Sequence, residues 1–169
     1  MSNINSEKLN FILEATKSYK HNGKDFFDHL FRTSDIVKNL CEKIGISDSQ
    51  YLVDAALFHS IYGTDYYDFN KQITREKVIS LIGEKAEKLV NFFCSLTDRN
   101  VQILQHKFES SLQRDLYILE YANLIELSVA DVQRTSALNP SKIFRLKLLR
   151  ANLIDHYKFD MPPLPFSFA

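Results

Sequence analysis

The chain contains no tryptophan, only four glycines, four prolines and two cysteines, and its formal charge is zero. Each scarcity excludes something. Glycine and proline are the main punctuators of local structure, so a 169-residue chain with so few of them favours long helices. Cys41 and Cys94 are far apart and form no CxxC or zinc pattern, which predicts two free buried thiols. With no signal peptide recognisable, a reducing cytoplasm is the expected home. Equal numbers of acidic and basic residues, 21 each, imply no general affinity for polyanions. Nucleic acid is therefore not the expected main partner. No apolar run approaches the roughly 18 residues of a membrane span, so no membrane partner is expected either.

What is present is ordinary for a soluble domain: 45% hydrophobic and 25% charged residues. Thirteen phenylalanines and eight tyrosines predict an aromatic-rich core. The length suits one domain. Helical spacing recurs along it. Residues 6–19 place Leu9, Ile12 and Leu13 on one face, with Ser6 as a possible cap. Residues 25–44 carry a stripe from Phe26 and His29 to Ile44, closed by Gly45. Ser47 or Ser49 can cap a third helix whose face includes Leu52, Ala55, Ala56 and His59. Residues 62–73 lack helical period and read as a loop. Thr74 caps the next helix, and Gly83 divides it. Residues 98–109 read as a connection with some helical content. "SLQRDLYILEYANLIELSVADVQ" is a long helix, and Pro140 behind Asn139 opens the last one. No strand, repeat or second domain is predicted. The expected fold is an all-α, single-domain helical bundle over 1–158, with 159–169 an extended proline- and aromatic-rich tail on the surface.

Three polar residues interrupt apolar stripes on three separate helices: His29, His59 and Asn123. A single buried polar group is usually just a satisfied core residue. Three on facing helices point to a shared site, the way metal sites in bundles are assembled.

"DHLFRTSDIVKNL" followed by "LVDAALFHS" resembles the HD-domain superfamily of metal-dependent phosphohydrolases. The likeness is closest to the hydrolase domain of RelA/SpoT enzymes. It extends through "ITREKVISLIGEKAEKLVNFFCSLTDR" to "LEYANLIE", about residues 18–130. "HSIYGT" also resembles a small bacterial family of HD-like proteins of unknown function. The resemblance implies an HD-like helical fold, a divalent metal and hydrolysis of a phosphorylated small molecule. His29 and His59 fall on the two family histidines. Ser60 stands where the superfamily has a ligand aspartate, and Asn123 where it has the last one. Two carboxylates are thus replaced by neutral groups. Manganese or magnesium would be held poorly, whereas iron, zinc or nickel suit imidazole ligands.

His21 is a candidate third metal ligand, and Asp98, Glu87 and Glu120 are candidate carboxylates. Tyr62 can donate a proton or pack, and Thr64 can bind an oxyanion or cap the next segment. Asp98-Arg99 can clamp a phosphate or carboxylate, or be a turn salt bridge. Ser60, Arg99 and Asn123 are the candidate substrate contacts, and Tyr62, Thr64 and Asp98 the candidate catalytic groups. The expected function is a metalloenzyme acting on a small metabolite, with iron, manganese, zinc or nickel as possible cofactor. Two other readings stand beside it: a binding module that has lost its metal, and a mononuclear iron oxygenase or lyase.

Overall fold

A computed structural model of the chain describes residues 5–21, 24–63 and 73–166, apart from the side chains of His21, Lys24 and Asn100. Seven α-helices carry the described residues: α1 (Ser6–Thr16), α2 (Phe26–Ile44), α3 (Gln50–Phe58), α4 (Arg75–Ser95), α5 (Arg99–Gln105), α6 (Ser110–Thr135) and α7 (Pro140–Tyr157). The fold is all-α. None of these helices is long and apolar enough to cross a membrane.

Most helix limits stem from the chemistry of single residues. Gly45 takes φ 77° and donates to the Cys41 carbonyl, which ends α2 in the left-handed turn that glycine adopts without penalty. The Thr74 hydroxyl accepts from the Lys77 amide, and the Asn139 side chain accepts from Ser141 and Lys142 ahead of α7. Gly83, at φ 80° and ψ 161°, breaks α4 into two segments. Asn5, rather than Ser6, caps α1: its side chain accepts from the Glu7 amide. One pairing was not expected. Lys20–His21 (β1) and Lys24–Asp25 (β2) form a two-residue antiparallel ladder ahead of α2.

The centre of the molecule is α3. Every residue from Tyr51 to Phe58 is buried. Packed against it are α2 and α4, while α6 lies along α2 and α7 along α6. A helix apolar all round belongs in an interior. Its one acid, Asp54, is 4% exposed and is held by Lys8 of α1 at 2.8 Å. The tail also differs from expectation. Residues 159–166 are not helical, but Met161 is buried in the core. Arg150 fastens them by donating to the carbonyls of Met161 and Pro162 at 2.8 and 3.0 Å.

An ion pair bridges the two segments of α4. Arg75 grips the buried Glu87 with two bonds of 2.7 Å, and the Tyr62 hydroxyl donates to the same carboxylate at 2.9 Å. Arg75 holds the Glu87 carboxyl below its ordinary range, against the opposing effect of burial. The folded state therefore gains from ionised Glu87 above the ordinary carboxylate value of 4.5 and loses that gain as pH falls through the depressed one. Acid titration of stability should fall less steeply below pH 4.5 in Glu87→Gln than in the parent chain. Identical slopes would remove Glu87 from the acid response.

Candidate functional site

The α2 stripe puts His29 one turn inside its helix, and the end of α3 delivers His59 opposite it. Both are buried, at 6% and 1% exposure. Their rings meet edge to face, with centroids 5.1 Å apart. Phe26 stands edge-on to His29 and Phe93 to His59, so the surroundings are aromatic.

Each ring is anchored through Nδ1. His59 Nδ1–H donates to the Ala56 carbonyl at 2.6 Å, and that carbonyl can only accept. His29 Nδ1 lies 2.5 Å from Glu126 Oε2. The two Nε2 atoms then face each other across 3.2 Å. If both Nδ1 atoms carry protons and both rings are neutral, two lone pairs point at one another. That is repulsive unless a positive charge lies between them. A proton there makes an ordinary hydrogen bond. A metal fits as well: two nitrogens about 2.0–2.1 Å from one ion are roughly 3.4 Å apart at a tetrahedral angle. The Nδ1 partners, a carboxylate and a backbone carbonyl, are the kind that orient metal-bound imidazoles.

The described residues supply these two imidazoles and stop there. Among them no group of three or more His, Cys, Asp or Glu side chains could hold an ion. His21 pairs through its backbone with Lys24, and its side chain lies outside the described residues, as does Thr64. Ser60 is buried directly after His59.

Asn123 sits one turn before Glu126 on α6 and donates to Glu120 Oε2 at 3.1 Å. An aspartate at 123 would set two carboxylates against each other, which accounts for the amide at that position. Glu120 is 3% exposed. Burial pushes its carboxyl up, while Arg99, the Asn123 hydrogen bond, Arg145 and His29 pull the other way. Arg99 lies with its guanidinium carbon 4.3 Å from the centre of the Phe93 ring, the ring that also touches His59.

The remaining candidates lie to one side or on the surface. Tyr62 is spent on Glu87, and burial, together with that hydrogen bond, raises its hydroxyl well above the tyrosine range. Asp98 is exposed and, at φ 44°, caps α5 through its carbonyl and not its side chain. The Cys94 thiol donates to the His59 carbonyl at 3.2 Å, and burial pushes it up to about 11.

Glu126 is the group that sequence reading did not single out. The available signal was an acid three residues after Asn123, hence on the same helical face.

Residues 12–99 match the family described as a domain of unknown function, DUF6817. That span takes in His29, His59, Ser60 and Arg99, and ends before α6 with Asn123 and Glu126. Comparison with curated proteins and with solved structures gives no match.

Proposed function

The chain belongs to the DUF6817 family, and we propose that it is a metalloenzyme on an HD-like helical bundle, acting on a small anionic metabolite. In this reading His29 and His59 hold one divalent cation through their Nε2 atoms. The observation that carries it is the facing of two Nδ1-anchored imidazoles across 3.2 Å. The donor set suits zinc, nickel or iron better than manganese, because no carboxylate from the described residues joins it. Such an ion, when bound, supplies a Lewis acid that polarises a phosphoryl or carbonyl oxygen.

The chain's own residues do the positioning. Glu126 and the Ala56 carbonyl fix the two rings and their tautomers. Phe26 and Phe93 border the imidazoles with apolar surface, which strengthens electrostatic contacts made there. Neutral overall charge supports a small ligand over nucleic acid. The unpaired thiols Cys41 and Cys94 suit a reducing, cytoplasmic setting. Zinc or nickel would support hydrolysis or lyase chemistry, and iron an oxygenase or lyase.

A second reading has its own support. With only two ligands among the described residues, a proton can occupy the gap, and the site is then a binding module that has lost its metal. Elemental analysis of untagged protein grown with mixed trace metals decides between the two. About one equivalent of zinc, nickel or iron per chain is the expected result. No metal, even after reconstitution with each ion, would leave the proton reading standing and overturn the metalloenzyme.

A further inference from the structure

Beside the start of α3 lies a cavity of about 410 Å³, lined from α3, α4 and α6. That volume is within the range of small-molecule sites. Lys85, Lys88, Leu89 and Phe92 of α4 are spaced three and four residues apart, so they share one helical face, and all four line the cavity. Leu89 and Phe92 make that side apolar, and Leu112 and the Tyr51 ring add to it. Lys85 and Lys88 are largely exposed and bring two ammonium groups to its edge.

The side formed by α3 and α6 is fixed by its own bonds. The Tyr51 hydroxyl donates to Asp115 at 2.7 Å. Arg114 donates to the same carboxylate at 2.7 and 2.9 Å and to the Tyr51 oxygen at 2.9 Å. Asp115 is the only carboxylate among the described lining residues, and Arg114 balances it. Arg75 also lines the cavity but is committed to Glu87. The two lysines are held differently. Lys85 Nζ lies 3.4 Å from the centre of the Tyr51 ring. A ring beneath an ammonium leaves N–H donors for a partner on the open side. Asp48 is 3.7 Å from Lys85, and Glu84 is 3.8 Å from Lys88. Those separations exceed a hydrogen bond, and exposed pairs of this kind contribute little.

We propose that this cavity binds a small aryl carboxylate, with its carboxylate between Lys85 and Lys88 and its ring against Leu89, Phe92 and Leu112. An apolar cavity with two ammonium groups at its edge complements an apolar body with one negative charge. A phosphoryl group carries more charge and less apolar surface than such a cavity matches. The site is separate from the histidine pair. Tyr51 and His59 are eight residues apart at opposite ends of α3, roughly 12 Å at the helical rise. Binding here is therefore independent of any metal and of the function proposed above.

The test is calorimetric titration of the intact protein with naphthoate, in chelator and at neutral pH. Naphthamide serves as the uncharged analogue, and acetate and inorganic phosphate as anions without a ring. Saturable binding of naphthoate is expected, with naphthamide about tenfold weaker and no binding of acetate or phosphate at this site. Lys85→Gln and Lys88→Gln should each weaken naphthoate about three- to fivefold and leave naphthamide unchanged. Ser111→Trp, at an exposed lining residue, should fill the cavity and abolish binding of both ring compounds. His59→Asn should keep naphthoate affinity unchanged. Circular dichroism confirms that each variant is folded. No saturable naphthoate binding, equal affinity for naphthamide, displacement of naphthoate by phosphate, or unchanged naphthoate binding in the folded Ser111→Trp or lysine variants would overturn the assignment.

Discussion

Replacing His59 with asparagine is expected to lower affinity for zinc or nickel about a hundredfold or more, and His29→Asn should do the same. Each substitution removes one of the two imidazoles that the described residues bring to the gap. Glu126→Gln is expected to cost less, about 10–100-fold, the usual range when the group behind a ligating histidine is lost. The order matters more than any single value. A ligand change should exceed a change behind it, and both should exceed Asp98→Asn, at an exposed residue whose side chain caps nothing. Competition titration against a chromophoric chelator reads all four variants. Affinities that are equal across the set would show that the ion sits elsewhere.

The second large effect is on stability. Phe58→Ala should cost about 3–5 kcal/mol. Phe58 is fully buried at the end of α3 and stacks on Phe11 of α1, with ring centres 6.0 Å apart. Its removal leaves a void bounded by elements that cannot collapse independently. Phe144, on α7, is 63% exposed, and Phe144→Ala should change stability by no more than about 0.5 kcal/mol. Urea unfolding of both variants makes the comparison. A Phe58→Ala cost near that of Phe144→Ala would mean that α3 is not the packed centre.

The helices could be read from the chain because their ends are written in single residues. Gly45, Thr74, Gly83 and the Asn139–Pro140 pair each impose a backbone state that few alternatives satisfy. The cap of α1 was misplaced by one residue because Asn5 and Ser6 are both good caps, and only geometry separates them. The β1–β2 ladder left no trace because two-residue strands have no periodicity to detect. The tail was expected on the surface because proline forbids a helix there. What proline does not forbid is packing, and Met161 and Arg150 turn an irregular segment into a fastened one.

The site was half legible. His29 and His59 stood out as polar residues on buried stripes, and the structure puts them in contact. Their partner Glu126 lies 97 residues from His29. Helical spacing gives a residue its face but not its counterpart on another helix. Tyr62 illustrates the converse. A tyrosine three residues after a histidine can serve chemistry or packing, and in space it belongs to Glu87.

His59 directly follows α3, in which every residue from Tyr51 to Phe58 is buried. A segment buried on all sides has no low-energy local opening: its amides become accessible only when most of the domain comes apart. The position of His59 therefore depends on the cooperativity of the surrounding fold as well as on its local bond to the Ala56 carbonyl. Any ligand that binds the native pair stabilises the entire domain by mass action, in proportion to the logarithm of its concentration over its dissociation constant. Occupancy of the site and persistence of the fold are thereby linked.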